Sequence, residues 1–286
     1  NNVAIGYRAM HNVTSATTCV AIGRDALFTD TSGNNNIAIG DHALRLTTTG
    51  YHNIGIGNNS LDANTTGQWN VGVGVQTLGA ATTANSNTAI GESALATTTT
   101  GQQNTAVGYQ ALRLTTTASS NVSVGFESML NNTTGATNTA TGYRALLNNT
   151  TQAGNTGVGW NALGDASTGL GRNTGMGYEA NGAVTTGAAN TAVGWSSGGV
   201  TTGNGNTVMG YITSTGSTTA ENRIVIGYNV TGIADNTVTL GKQANTASLG
   251  LDGSDTSWAA ASSDERLKEN IETSKLGLNF INDLRP

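Results

Sequence analysis

The chain is poor in the residues that ordinary globular enzymes and membrane proteins use. Among its 286 residues there are one proline and one cysteine, 5% are aromatic and 10% are charged. A single cysteine excludes an internal disulfide framework. The sequence has no run of about 18 apolar residues, the length that a membrane-spanning helix requires. A formal net charge of −5 gives no basic surface of the kind that binds nucleic acid or an anionic membrane.

Glycine, in contrast, is abundant, with 40 residues, and it recurs at a fixed period. The stretch NTAVGYQAL at 104–112 repeats in close variants from the first residue to about 241. Nine consecutive spacings between its glycines are 17 residues, followed by 18, 17, 16, 17 and 14. The repeating glycines are Gly6, Gly23, Gly40, Gly57, Gly74, Gly91, Gly108, Gly125, Gly142, Gly159, Gly177, Gly194, Gly210, Gly227 and Gly241. A period this short is typical of a solenoid, in which each coil buries its apolar face only against its neighbours.

A coil of 17 residues has room only for strands and corners, because even fully extended it spans roughly 56 Å. β-branched residues precede the glycine, as in Thr105 and Val107, and predict a short strand. Glycine then supplies the backbone angle of a corner, and polar tails such as LTTTG at 46–50 predict turns. We therefore predict an all-β fold, a parallel β-solenoid or β-roll of about 15 coils.

A small residue separates the two β-branched residues of each strand and must lie on the opposite face of the strand. A strand that is apolar on one face and small on the other is expected to be covered on both faces. We expect the β-branched face to fill the coil interior and the small face to meet another copy of the chain. The alternative is a monomer that exposes its small residues. These are Ala4, Ala21, Ala38, Gly55, Gly72, Ala89, Ala106, Ser123, Ala140, Gly157, Gly175 and Ala192.

Asparagine precedes the strand in most coils. Stacked coils would bring these amides into a ladder, in which each side chain donates to and accepts from its neighbour. Cys19 occupies the same place in the second coil, which indicates a substitution within the ladder and not a nucleophile. The asparagines are Asn2, Asn36, Asn53, Asn70, Asn87, Asn104, Asn121, Asn138, Asn155, Asn173, Asn190 and Asn206.

A leucine or methionine follows the glycine by four residues in ten coils and predicts a second apolar column. Asn181 and Gly198 replace it later, where the glycine spacings also become irregular, so we expect the coil shape to change near 174–215. The column consists of Met10, Leu27, Leu44, Leu61, Leu78, Leu95, Leu112, Met129, Leu146 and Leu163.

The residue directly after the glycine is aromatic in eight successive coils. If the coils stack in register, the rings form one column with about 5 Å between steps. Such a column either binds a glycan or another ligand, or covers a corner of the solenoid or a seam between subunits, and we favour the structural role. The aromatic column consists of Tyr109, Phe126, Tyr143, Trp160, Tyr178, Trp195, Tyr211 and Tyr228.

Other chemistry has little support in the sequence. His11, His42 and His52 share no spacing that indicates a metal site. The GxG-like runs at 55–57 and 72–74 belong to coils and not to a strand-to-helix turn that would cradle a phosphate. No Ser/His/Asp set stands out. We expect no cofactor, no metal and no enzyme that acts on an external substrate.

The repeat ends after residue 241. Residues 242–262 are predicted to be a connector, and 263–286 form a third segment that is richer in charge. Leu276, Phe280 and Leu284 recur every four residues after Ser274, a candidate N-cap, so this segment is predicted to be partly helical. The chain begins in the middle of a repeat and is expected to be an internal piece of a longer fibrous protein.

Two resemblances follow from these motifs. The tail SSDERLKENI, followed by LGLNFINDLRP, closely resembles the opening of the intramolecular chaperone domain that ends many phage tail spikes, tail fibres and endosialidases. The NTAVGYQAL coils resemble the β-roll of trimeric autotransporter adhesin heads, although the period of 17 is longer than is usual there. Both resemblances imply three assembled chains.

The chaperone resemblance also implies self-cleavage. In that family a serine, helped by a lysine, cuts the domain off after folding, and the matching positions here are Ser263 and Lys268, with the cut before Ser263. A neutral lysine can accept the serine proton when its pKa is lowered. The alternative is that Ser262 caps a helix and Glu265 closes a capping box. Only 24 residues of the domain are present from Ser263 onward, so cleavage is expected of the full-length protein alone.

The sequence therefore predicts a structural and host-recognition segment of a homotrimeric phage tail fibre or spike. It would be made in the host cytoplasm, act outside the cell as part of the virion, and contact other tail proteins and a cell-surface glycan or protein receptor. Two alternatives are a bacterial trimeric adhesin head and a glycan-binding or glycan-degrading tail spike. An adhesin would end in a membrane anchor instead of SDERLKENI, and a degrading enzyme would need paired acids in one groove.

Overall fold

The computed structural model describes residues 1–251 and 259–260, and these form an all-β structure. The strands are β1 Val3–Ile5, β2 Val20–Ile22, β3 Ile37–Ile39, β4 Ile54–Ile56, β5 Val71–Val73, β6 Thr88–Ile90, β7 Thr105–Val107, β8 Val122–Val124, β9 Thr139–Thr141, β10 Thr156–Val158, β11 Thr174–Met176, β12 Thr191–Val193, β13 Thr207–Tyr211, β14 Ile224–Tyr228, β15 Thr237–Lys242, β16 Asn245–Gly250 and β17 Ala259–Ala260.

Strands β1 to β15 stack in sequence order, and each pairs in parallel with the strand one coil later. The register follows the repeat, so that Thr105 pairs with Val122 and Ala106 with Ser123. About 14 turns result. The predicted parallel β-solenoid with a 17-residue period is therefore confirmed.

Two constraints require glycine at each corner: the backbone angle and the close approach of the next coil. In Gly91 the φ angle is +122°, in the region that side chains rarely adopt. A Cβ atom at this position would lie 2.5 Å from the carbonyl oxygen of Gly108 in the next coil. The predicted corner role is confirmed, and the close approach of successive coils explains why no other residue takes this place from Gly6 to Gly227.

The predicted orientation of the strands is wrong. The small residues face the coil interior, and from Ala21 to Ala192 they are buried, whereas the β-branched residues on either side are half-buried or exposed. The reason is that the leucine column already fills the interior. At Gly55 a Cβ would lie 3.2 Å from Leu44 Cγ of the preceding coil, so a larger side chain has no room. Ala89 and Ala106 consequently do not face another chain.

The leucine column itself is confirmed. From Leu27 to Leu163 its nine members are fully buried and form one core with the alanines. Where Asn181 and Gly198 replace leucine, Val184 and Val200 enter the core instead. The shape changes at β13, where the strands lengthen from three to five residues. Val208, Val225 and Val230 then form a separate small core.

The asparagine ladder is confirmed as well. The Asn104 backbone N–H donates to Asn87 Oδ1 at 2.9 Å, and its Nδ2 donates to the same oxygen at 3.1 Å and to the Ala118 carbonyl at 2.9 Å. Asn121 repeats these bonds onto Asn104. These buried amides are thereby satisfied, as burial requires. Cys19 keeps the backbone bond, to Asn2 Oδ1 at 2.9 Å, and burial raises the pKa of its thiol.

The last coil is followed by an antiparallel hairpin. Strand β16 pairs with β15, so that Thr239 lies opposite Ser248, and β17 pairs with β16. The predicted connector at 242–262 therefore begins as a strand that extends the sheet. The predicted helical segment 263–286 lies outside the described residues.

Candidate functional site

The outer face of the stacked strands is called the strand face below. It consists of the residues three and one before the corner glycine and the residue directly after the glycine. In β13 these are Thr207, Met209 and Tyr211, which share one face because side chains alternate along a strand. The column directly before the glycine is aliphatic in every coil except at Thr141, the column three before it carries threonine in seven coils, and the column after the glycine is polar or charged at Arg24, Asp41, Asn58 and Glu92. With about 4.8 Å between strands, the face of β1 to β15 is about 70 Å long.

The aromatic column forms one edge of the strand face over its C-terminal half. Its rings stack from coil to coil, with centroid distances between 4.6 Å and 5.9 Å and interplanar angles between 6° and 18°. The closest pair is Trp160 and Tyr178, at 4.6 Å. Each ring remains 38% to 47% exposed. The sequence prediction that these eight side chains form a single column is met by the geometry.

The stacking decides which part of each ring is available to a partner. Neighbouring rings cover each other's faces, so the exposed part is the ring edge, except at the ends of the column. Sugars pack on ring faces, and a stack of this kind offers few of them; edges and β-branched side chains instead suit a flat, apolar protein surface. The column's role as ligand site or structural seam stays a prediction. Trp160 is 40% exposed, so Trp160→Ala should destabilise the protein by less than the about 3 to 5 kcal/mol that removal of a fully buried tryptophan costs.

The N-terminal coils carry ion pairs on the strand face and beside it. Arg8 Nε lies 2.7 Å from Asp25 Oδ1, and the pairs Arg24–Asp41 and Arg45–Asp62 link further coils. Arg24 and Asp41 directly follow corner glycines and belong to the strand face. Hydrogen bonding to Arg8 holds the pKa of the Asp25 carboxyl below its ordinary value. These pairs join residues 17 apart, so they tie successive coils together at the surface, where each contributes little.

The three histidines do not come together. His11 stacks on Phe28 with 5.4 Å between ring centroids, His42 Nε2 lies 3.4 Å from Asp25 Oδ2, and His52 packs edge-on against Tyr51. Among the described residues no three His, Cys, Asp or Glu side chains are grouped to hold a metal ion. Within the same part of the chain no helix is long and apolar enough to cross a membrane. Ser263 and Lys268, the predicted cleavage residues, lie outside the described residues.

A threonine ladder went unpredicted. The hydroxyls of Thr48, Thr65, Thr82 and Thr99 each donate to a threonine carbonyl of the next coil, at 3.0 Å to 3.3 Å. The column runs on another side of the coil, in the bends that follow the leucine. Its signal in the sequence is the threonine eight residues after the corner glycine, which repeats with the period.

A groove on a further side of the coils was also missed. It is lined by side chains two, five and six residues after the corner glycine, among them Gln76, Ser93 and Arg113. Its signal was the small pair Gly79 and Ala96, which stand between Asp62 and Arg113 in the column five residues after the corner glycine; glycine recurs in this column at Gly164, Gly182 and Gly199.

The chain was compared with protein-family models, with curated proteins and with solved structures, and none of them matches it.

Proposed function

We propose that this chain is a rigid segment of a homotrimeric phage tail fibre or spike, whose copies assemble through their strand faces and present the other sides of the coils to a host surface. One observation carries the assembly: an apolar column about 70 Å long, bordered by the aromatic column over its C-terminal half, stays open on the single chain, with Ile90, Val124, Met176 and Ile226 each 37% to 45% exposed. Contiguous apolar surface of this extent is typical of an interface.

A closed, symmetric assembly is the usual way to bury such a face. The number three comes from the resemblance to phage chaperone domains and adhesin heads. An adhesin head would use the same solenoid, and the chaperone-like tail is what favours the phage protein. A glycan-degrading spike remains the other alternative, because Asp165 and Glu179 line one further groove of the described residues and such an enzyme needs two acids in one groove.

The assembly is tested by placing charge on the strand face. The triple variant Ile90→Lys, Val107→Lys, Val124→Lys would bury three unpaired ammonium groups per chain in the interface, at a cost that an oligomer does not tolerate. We expect sedimentation analysis to show a fall from about three times the chain mass of 28.9 kDa to the chain mass itself, with an unchanged β-type circular dichroism spectrum.

The matched control carries the same charges in the same coils but on the exposed bends: Thr83→Lys, Thr100→Lys, Thr117→Lys. It should keep the mass of the unmodified assembly. If the strand-face variant also keeps that mass, the chains do not assemble through this surface.

The proposed maturation step is self-cleavage before Ser263. The Ser263 hydroxyl would attack the carbonyl carbon of Ser262 while a neutral Lys268 takes the proton. The Ser262–Ser263 peptide bond would break as this proton passes to the Ser263 nitrogen, and water would then hydrolyse the ester between Ser262 and the Ser263 oxygen and so separate the two pieces. In the full-length protein, Ser263→Ala and Lys268→Ala should each leave one uncut band on denaturing electrophoresis and a protein that is still trimeric. Persistent cutting of Ser263→Ala would assign the reaction to an outside protease.

A further inference from the structure

The groove identified above has a volume of about 450 Å³ and is lined by residues of four successive coils. It exists because the column five residues after the corner glycine is occupied there by Gly79 and Ala96, between Asp62 on one side and Arg113 on the other. Three coil steps separate these two charged residues, or about 14 Å. The column becomes a ridge beyond Arg113, where Leu130 and Leu147 follow.

The groove contains polar groups that the protein itself does not use. Ser93 is only 7% exposed, lines the groove, and its hydroxyl has no hydrogen-bond partner among the described residues. The side-chain amides of Gln76 and Asn59, which line the groove one and two coils earlier, likewise make no hydrogen bond within the described part of the chain. Three hydrogen-bonding groups that lie in a row along the groove and are not used by the protein are suited to a polar ligand.

The charges at the two ends differ in their availability. Asp62 is already paired, since its Oδ1 lies 2.8 Å from Arg45 Nε and its Oδ2 accepts from Arg45 Nη2 at 3.1 Å. Arg113 is exposed and has no ion pair in the described residues. The groove therefore offers one free guanidinium, which favours a carboxylate as its partner.

We propose that this groove binds a short acidic oligosaccharide, with a sugar carboxylate on Arg113 and sugar hydroxyls on Ser93, Gln76 and Asn59. Hydroxyl groups both donate and accept, as amide and serine side chains do. A peptide or lipid would need apolar walls, and the largest apolar groups here are the methyl groups of Ala80 and Ala96. The inference rests on the recognition part of the proposed function and names its ligand class.

The site does not share residues with the strand face. The lining residues follow the corner glycine by two, five or six positions, whereas strand-face residues lie three and one before it or directly after it. An assembled protein can thus present three such grooves outward, and binding and assembly can fail independently of each other.

Isothermal titration calorimetry on the assembled protein tests the site with two acidic probes, sialyllactose and trigalacturonate, and with neutral lactose. We expect at least one acidic probe to bind at millimolar concentrations and lactose to bind at least about tenfold more weakly, which is the usual worth of a charged hydrogen bond. Arg113→Gln should weaken the acidic probe by a similar factor. Arg172→Gln removes an equivalent exposed, unpaired charge elsewhere and should have no effect.

A groove-filling variant tests the location. Gly79 has no left-handed φ, and the nearest atom to an added Cβ would be at 3.4 Å, an ordinary contact. Gly79→Leu copies what Leu130 and Leu147 do in later coils, so the solenoid should fold while binding is lost. The proposal is overturned if neither acidic probe binds, if lactose binds equally well, or if Gly79→Leu binds as before. Sedimentation of the same samples reports separately on the assembly.

Discussion

Ala106→Glu is expected to unfold the coils around it, whereas Thr105→Glu, one residue earlier, is expected to leave the solenoid folded. Ala106 is fully buried in an interior that has no space beyond the leucine column. A glutamate there is both too large and charged without a partner, and we expect a loss of about 4 kcal/mol or more. Thr105 is half-buried on the strand face, where its replacement would at most separate the chains.

Chemical denaturation followed by circular dichroism distinguishes these outcomes. Because each coil contacts only its neighbours, Ala106→Glu should split the unfolding curve into two transitions, one for the coils on each side. The two variants also discriminate between the strand orientations, since a solenoid with the β-branched residues inside would be destroyed by Thr105→Glu. A single, unshifted transition for Ala106→Glu would refute the orientation described above.

Asp30→Asn is expected to stabilise the protein at pH 8 by up to about 3 kcal/mol, the free energy that corresponds to a rise of the carboxyl pKa from 3.8 to about 6, and to have little effect at pH 3.5. Asp30 is fully buried, and burial raises the pKa of its carboxyl to about 6. Its Oδ1 accepts from the Gly33 N–H at 2.7 Å, but its Oδ2 has no partner. Below the ordinary pKa both states are protonated; as the pH rises towards 6 the unfolded state alone ionises, so the carboxyl destabilises the fold increasingly.

Later coils contain the expected replacement. Asn132 Nδ2 donates to the Gly135 carbonyl at 3.0 Å, and Asn64 makes the equivalent bond to Gly67 at 3.3 Å. The reverse change, Asn64→Asp, should therefore create a second pH-dependent loss in a coil that now lacks one. Melting temperatures of both variants between pH 3.5 and 8 measure this, and parallel curves for Asp30→Asn and the unmodified protein would show that Asp30 does not titrate in this range.

Much of the fold was predictable because the repeat exposes it directly. Three features recur in register: a glycine every 17 residues, an asparagine before the strand and a leucine after the corner. Because the coils stack in register, each residue that recurs at one position forms a column along the solenoid. The coil, the amide ladder, the leucine core and the stacked aromatic rings follow from that rule. No knowledge of distant contacts is needed, because almost every contact lies one coil away.

The direction in which the strand faces was not predictable from alternation alone. Alternation separates Ala106 from Thr105 and Val107 but does not say which set is inside. The decision lies in the corner, where Gln110 and Leu112 have left-handed φ angles of 54° and 52°. Leucine has no preference for the left-handed region. The sequence therefore contains no signal that the chain reverses direction at this corner and that the leucine side chain points into the coil.

The groove was missed for a related reason. In the sequence, Gly79 and Ala96 are ordinary small residues, and Ser93 is one serine among many. Only the stacking of the coils places the space above Gly79 and Ala96 next to the Ser93 hydroxyl, with Arg113 at one end of the resulting groove. Small residues such as these leave no recurring signal in the sequence. A groove that forms above them can be recognised only when the positions of the neighbouring columns are known.

The coil-to-coil hydrogen bonds have a mechanical consequence. In stacked parallel strands these bonds run along the solenoid axis, so tension on the two ends loads them one interface at a time. A coil that detaches releases 17 residues, or roughly 56 Å of extended chain in place of a rise of about 5 Å. A segment of this kind lengthens under load in steps of about 50 Å while its remaining coils stay folded, and a detached coil has an intact template on which to wind back when the tension falls.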